Sequence, residues 1–208
     1  MKRLMFDPSQ CSLCGACEMA CSLAKGGQLD GASSRIRLET AGDERPLRAA
    51  VCQHCEEPAC VNACMRGIIE KDGKTGLVKR RTEDCFRCAA CAVNCPVGAC
   101  IQDAAENAFV SCDLCGGDPL CAAVCPNGAL AYEDDGHISM QKRSRYAQQS
   151  FAGKLRADSA AEVLPQPSER QWEAIARLLS EKLGQNVAAS ALNRCSEARR
   201  RAAREEGR

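Results

Sequence analysis

Apolar residues along this chain come in short bursts, separated by cysteine-rich loops and by glycine, aspartate and proline. Residues 2–6 (Lys-Arg-Leu-Met-Phe) read as a strand ended by Asp7-Pro8. Residues 35–38 and 47–51 read as two strands around the turn chemistry of Gly42-Asp43-Glu44. The pattern returns at 67–70 with 77–80, at 97–101 with 108–111, and at 127–132 with 137–140, the last around Asp134-Asp135-Gly136. Each pair predicts a β-hairpin. Lys25-Gly26-Gly27 ends a short helix after Cys21. From about residue 141 the rhythm changes: 141–155 is basic and reads as a short helix, and 158–167 is a linker rich in Ala and Pro. Ser168-Glu169-Arg170-Gln171 is a capping box. Trp172, Ile175, Ala176, Leu179 and Leu183 follow at helical spacing, with Gly184 as the stop. Val187, Ala191, Leu192, Cys195 and Ala198 mark a second amphipathic helix.

What stands between the strand pairs changes the picture. The chain of 208 residues holds 18 cysteines, and 16 of them fall in four related runs. These are Cys11, Cys14, Cys17 and Cys21; Cys52, Cys55, Cys60 and Cys64; Cys85, Cys88, Cys91 and Cys95; and Cys112, Cys115, Cys121 and Cys125. Pro96 and Pro126 follow the last cysteine of the third and fourth runs. A unit of cysteine run plus strand pair therefore recurs four times, which is an internal repeat. Aromatic residues make up only 3%, with Trp172 the single tryptophan, so burial alone builds little core and metal or covalent staples are expected.

Two bland readings compete for the cysteines. A disulfide framework needs an export signal. Met1 to Asp7 leads straight into Cys11 without an apolar leader, no twin-arginine leader is present, and no run of about 18 apolar residues spans a membrane. A cytoplasmic, reducing setting is the expectation, and clustered thiols there read as metal ligands. Zinc sites usually pair two C-x2-C knuckles across a longer gap. Three thiolates at steps of three, then a fourth with proline behind it, instead fit the corners of a cubane iron–sulfur cluster. Gly15 lets the first loop bring its backbone close to such a cluster.

The third run, Cys85-x2-Cys88-x2-Cys91-x3-Cys95-Pro96, has the spacing of bacterial ferredoxins, in which the fourth cysteine of one run ligates the other run's cluster. Residues 1–145 resemble the four-cluster, ferredoxin-like electron-transfer subunits of large oxidoreductases. That resemblance implies an α+β fold of tandem dicluster modules, with short helices and β-hairpins around the clusters and an α-helical C-terminal extension. It also implies that the first run pairs with the fourth and the second with the third. One cluster would take Cys11, Cys14, Cys17 and Cys125, and its neighbour Cys112, Cys115, Cys121 and Cys21. A third would take Cys52, Cys55, Cys60 and Cys95, and a fourth Cys85, Cys88, Cys91 and Cys64. Residues 1–50 with 106–145 would form an outer module, 51–105 an inserted one, 146–167 a basic segment and linker, and 168–208 a helical extension for docking on a partner or a second copy. Met65 after Cys64 and Ser22 after Cys21 depart from the usual proline, but remove no ligand.

Cys14-Gly15-Ala16-Cys17-Glu18-Met19-Ala20-Cys21-Ser22-Leu23, Ser34-Arg35-Ile36 and Cys112-Asp113-Leu114-Cys115-Gly116-Gly117-Asp118-Pro119 narrow the resemblance. Together they look like the small subunit of tungsten enzymes of the aldehyde ferredoxin oxidoreductase type. The implied cofactors are four [4Fe-4S] clusters. The implied partners are a tungsten- or molybdenum-pterin catalytic subunit and an FAD/NAD-binding subunit or soluble ferredoxin. Carbon monoxide dehydrogenase, formate dehydrogenase and hydrogenase are the alternative engines, and a non-redox structural or sensing protein is a different class.

The formal charge of +1 would become about −7 with four oxidised cubanes at about −2 each. The 28 Lys and Arg then read as compensation, and no interleaved basic and aromatic patch points to nucleic acid. No nucleophile–base pair or G-x-G-x-x-G loop suggests catalysis by the chain itself. Cys100 and Cys195 are left over and read as inert buried thiols, His54 reads as a neighbour of the second run, and Arg66 and Arg87 read as solvated charges or as tuners of a nearby cluster.

Overall fold

The computed structural model describes residues 2–29, 31–41, 45–134 and 166–184. Among the described residues eight strands pair into four two-stranded antiparallel sheets, with the helices between them along the chain. They are β1 (Lys2–Phe6), β2 (Ile36–Ala41), β3 (Arg45–Val51), β4 (Ile69–Lys71), β5 (Val78–Arg80), β6 (Ile101–Asp103), β7 (Ala108–Val110) and β8 (Leu130–Asp134). The helices are α1 (Ala16–Gly26), α2 (Ala59–Asn62), α3 (Ala90–Val93), α4 (Leu120–Ala123) and α5 (Glu169–Leu183).

Three of the expected hairpins form as read: β2 with β3, β4 with β5, and β6 with β7. The fourth differs. Among the described residues β8 pairs with β1, in register from Lys2 opposite Asp134 to Phe6 opposite Leu130. Asp7 N–H then donates to Ala129 O at 2.8 Å. The expected return strand at 137–140 lies outside the described residues. A local reading finds strands that turn back on themselves. It does not see a pairing across more than 120 residues, which tertiary packing alone selects.

Helix α1 has two working faces. Gly15 precedes it with φ 77°, and Gly27 caps its end, donating to Leu23 O at 3.0 Å. Ala16, Met19, Ala20 and Leu23 recur at helical spacing and pack against Trp172, Ile175, Ala176 and Leu179 of α5, with Val124. Cys17 and Cys21, one turn apart, face the other way into a core with Leu4, Ile36, Val51, Cys112, Leu114, Cys121 and Leu130. The capping box at Ser168 forms as the sequence predicts: Gln171 N–H donates to Ser168 Oγ, and Ser168 N–H donates to Gln171 Oε1 at 2.8 Å.

The apolar stripe of α5 is covered by α1 of the same chain. Trp172 is 1% exposed and Leu179 0%. Burying each large side chain of that stripe contributes about 2 kcal/mol. Lys182 pairs with Asp118, and Gln166 donates to Ser12 O, holding both ends of the segment. The second predicted helix, with Cys195, and the basic segment at 146–165 lie outside the described residues. A separate, smaller core of Ile68, Ile69, Val78, Cys91 and Cys100 lies between the second and third runs. Among the described residues no helix is long and apolar enough to cross a membrane.

Candidate iron–sulfur centres

The four runs share a backbone device. Leu13, His54, Arg87 and Leu114, each just before the second cysteine of its run, have φ of 56°, 45°, 57° and 55°. A left-handed conformation at a non-glycine residue costs on the order of 1 kcal/mol or more, so four copies mark a geometry the loops require. The turn aims the N–H of that residue back at the first thiol. Arg87 N–H donates to Cys85 Sγ at 3.5 Å, Leu114 N–H to Cys112 Sγ at 3.4 Å, and His54 N–H reaches the Cys52 thiol. Successive inward amides of this kind form a nest for anionic sulfur. The fourth cysteines also receive backbone donors: Arg35 N–H to Cys21 Sγ at 3.2 Å, and Ala99 N–H to Cys95 Sγ at 3.3 Å. After Cys64, Cys95 and Cys125 a glycine with positive φ (Gly67, Gly98, Gly128) turns the chain from helix to strand by donating to the cysteine's carbonyl.

The thiols gather across runs. Cys11, Cys14, Cys17 and Cys125 line one cavity. Cys21, Cys112, Cys115 and Cys121 line a second. Cys64, Cys85, Cys88 and Cys91 line a third, the largest, of about 160 Å³. Of the remaining four, Cys52 lies within charge range of Cys60, while Cys60 and Cys95 pack on the same small core as Cys91. Cys55 is held at its carbonyl by Lys71 Nζ at 2.8 Å. The third cysteines of the runs face each other in pairs: Cys17 feels Cys121, and Cys60 feels Cys91.

The donor set suits iron–sulfur cubanes. Each of the three cavities is lined by four thiols, three from one run and one from another. Among the described residues no three His, Cys, Asp or Glu side chains close tightly enough to hold a single ion. Thiols spread round a space, with amides aimed at their sulfurs, match a four-iron core held at its corners better than one tetrahedral zinc.

The electrostatics differ from site to site. Burial pushes the thiols of Cys14, Cys17, Cys21, Cys52 and Cys112 above the ordinary value, and that of Cys121 up to about 12. Cys60 and Cys91 move the other way, because the Cys100 S–H lies within reach of either and Arg80 lies nearby. Near the second cavity, Lys25 and Arg35 both pair with Asp113, at 2.8 and 3.2 Å.

His54 is buried. Its Nδ1 accepts from Val78 N–H at 3.0 Å, and burial lowers its pKa, so the imidazole is neutral with its proton on Nε2. Arg66 stacks on Phe86, its guanidinium 4.1 Å from the ring centroid, and Arg87 Nη1 donates to Asn107 Oδ1 at 2.8 Å. Arg80, Ser111 and Cys100 carry no motif of their own in the sequence, yet they form a hydrogen-bonded cluster in the fold. The available signal was position: Arg80 stands five residues before Cys85, and Cys100 five after Cys95.

Comparison with known proteins agrees with this geometry. Residues 46–135 match the family described as 4Fe-4S dicluster domain. The beta subunit of an NADH-dependent phenylglyoxylate dehydrogenase from Aromatoleum evansii is 38% identical over 62% of this chain, though the match spans only 29% of that subunit. The polyferredoxin-like subunit of an aliphatic sulfonate oxidoreductase from Pyrococcus furiosus is 37% identical, over 59% of this chain and 70% of its own length. The electron transport protein HydN of Escherichia coli is 31% identical, over 69% of this chain and 96% of its own length. With cysteine runs, cross-run cavities and relatives in accord, the chain belongs to the 4Fe-4S dicluster family of ferredoxin-like iron–sulfur proteins.

Proposed function

We propose that this chain is the electron-transfer subunit of an oxidoreductase complex, carrying four [4Fe-4S] clusters in two reciprocal pairs. The single observation that carries the reading is the lining of the cavities: three of them are each ringed by four cysteines, three from one run and one from another. The ligand sets are those expected above, with Cys52, Cys55, Cys60 and Cys95 as the fourth. Each cluster, when bound, accepts and returns one electron. The chain supplies spacing, burial and local charge. The three-residue spacer before each last cysteine carries that thiol to the neighbouring site, so adjacent clusters share protein elements and lie close. Cys88 is the one exposed cysteine among the described residues, so its site is the natural point of exchange with an outside redox partner.

The finer reading places the chain between a tungsten- or molybdenum-pterin aldehyde oxidoreductase-type subunit and a flavoprotein that exchanges electrons with NAD, or a soluble ferredoxin. It rests on the run 14–23 and the segment 112–119. A second reading keeps the wire and changes the engine; the likeness to a subunit named for an NADH-dependent phenylglyoxylate dehydrogenase favours it. Anaerobic purification of the native complex tests both. Iron and sulfide near sixteen of each per chain are expected, with tungsten or molybdenum in the co-purifying subunit. About eight irons would sink the four-cluster count, and a partner free of both metals would sink the pterin engine.

A further inference from the structure

Arg80 is the last residue of β5, five before Cys85, and Cys100 follows Cys95 by five. At the same offsets the fourth run carries Asn107, five before Cys112, and Leu130, five after Cys125. Leu130 packs in the outer core, and Asn107 Oδ1 accepts from Arg87 Nη1. The third run has a cation and a thiol where the fourth has a neutral amide and an apolar side chain.

The cation is fixed in place. Arg80 Nη2 donates to Cys100 Sγ at 3.0 Å, and Arg80 Nε donates to Ser111 Oγ at 2.8 Å. Arg80 also lines the cavity of Cys64, Cys85, Cys88 and Cys91, and its side chain hydrogen-bonds Cys91. Cys100 is buried in one core with Cys60 and Cys91, so its single S–H lies within reach of either sulfur. Cys60 belongs to the second run and Cys91 to the third. One cation–thiol pair therefore touches a cysteine of each inner site.

The charge there is not cancelled. Among the described residues Arg80 forms no ion pair with a carboxylate, whereas Lys25 and Arg35, beside Cys21 and Cys115, are balanced by the two carboxylates of Asp113 and Glu106. The guanidinium is charged at any working pH, and Cys100 and Ser111 hold it at the wall of the cavity. An uncancelled positive charge beside a centre that gains an electron favours the reduced form, and hydrogen bonds to cluster sulfurs act in the same direction.

We propose that Arg80 and Cys100 form a hydrogen-bonded bridge between the two inner clusters that raises the reduction potentials of both above those of the outer pair. The inference rests on the four-cluster reading. Arg80 and Cys100 are positioning residues: they hold charge and a donor beside ligand sulfurs and ligate nothing. The step they bias is a one-electron exchange, in which an outer cluster or an external one-electron carrier is oxidised by one electron and an inner cluster is reduced by one. No bond forms or breaks, and no proton moves. The inner pair becomes the place where an electron rests.

The test is an EPR-monitored potentiometric titration of the anaerobically purified full-length protein, beside the variants R80Q, R80K and C100A. In R80Q two of the four redox steps should move to lower potential and two should stay. At a fixed poise near the original midpoints, the reduced-to-oxidised ratio of the moving pair should fall about tenfold, which for a one-electron couple is about 59 mV. C100A should move the same two steps in the same direction by less, and R80K should retain most of the wild-type behaviour. Iron analysis separates the two layers of the argument. A wild type well short of sixteen irons overturns the four-cluster reading and the bridge with it. A full iron count with no step moved, or with all four moved alike, overturns the bridge alone. If R80Q loses iron, C100A carries the test by the same two-step criterion, because it keeps the cation. Iron loss in all three variants would mean a purely structural role and would also overturn the bridge.

Discussion

In the outer half of the molecule Cys17, Cys21, Cys112 and Cys121 are buried, while in the inner half Cys91 alone of the eight run cysteines is buried and Cys88 is exposed. The outer half owes this to cover. Helix α1 lies between α5 and the cysteine-rich core, and Leu4, Ile36, Val51 and Leu130 close the other side. The inner half has the small core around Ile68, Ile69 and Val78, and it leaves Met65, Phe86 and Val93 at 89%, 68% and 83% exposure. The same cysteine spacing thus serves two environments. In the outer one, burial raises the thiols, so an outer thiolate released from iron must take up a proton or destabilise the core. In the inner one, Cys100 and Arg80 stabilise the anionic sulfurs of Cys60 and Cys91 directly. Ligand spacing alone does not set a cluster's surroundings; in the inner half Arg80 and Cys100, just outside the third run, do much of it.

The largest test of this contrast removes one thiol from each half. Cys125→Ala should lose about four irons per chain and, because its cluster sits against the buried core, should also lower thermal stability sharply. Cys88→Ala should lose a similar amount of iron with much less effect on the melting of the rest. Iron analysis with far-UV circular dichroism reads both, and equal melting losses would remove the distinction. Crossed pairing makes a sharper demand on the same variants. Cys125→Ala should spare the cluster of Cys112, Cys115 and Cys121, and EPR signals showing that cluster lost instead would break the pairing.

Next in size is the cover itself. Trp172→Ala should cost about 3–5 kcal/mol of stability in chemical denaturation, the usual range for emptying a fully buried indole site. It should perturb the EPR signals of the outer pair and leave those of the inner pair alone, since α5 packs on α1. A smaller effect follows at the end of the same helix. Ser168→Ala removes the capping box and should cost about 1 kcal/mol in the same assay.

The smallest expected effect is on the inner hairpin between β4 and β5. Asp72 accepts hydrogen bonds from Lys79 Nζ, Thr75 N–H and Lys74 N–H, which hold its carboxyl below the ordinary 3.8. A carboxyl lowered in the folded state contributes stability that is present above its unfolded value and fades as pH falls through the folded one. Asp72→Asn should therefore leave neutral melting almost unchanged and flatten the acid limb below about pH 4, because the ion pair lies at the surface and is screened. A large loss at neutral pH would show that the hairpin matters more to the inner half than its exposure implies.

Much of this was written in local signals. Cysteine offsets identified the four runs, turn residues identified three hairpins, and Ser168 with Gln171 announced α5 to the residue, with Gly184 as its left-handed cap. Each is a short-range interaction, so nearest neighbours along the chain suffice to encode it. The partner of β8 was not legible, because a strand's edge carries no address and β1 is chosen by the closure of the outer half. The occupant of the α5 stripe was not legible either: an apolar face announces that it will be covered, and α1 is what covers it.

The sequence by itself determined that thiols would come in threes plus one, in loops that turn amides toward sulfur, since i to i+3 spacing and backbone sterics are local. Only the tertiary structure decided which thiols share a cavity, which are buried, and that Arg80 reaches Cys100 across twenty residues while Ser111 holds it from the other side. Those are questions of which surfaces meet and how much water they exclude. Free energies of that kind belong to the packed chain and to no stretch of it alone.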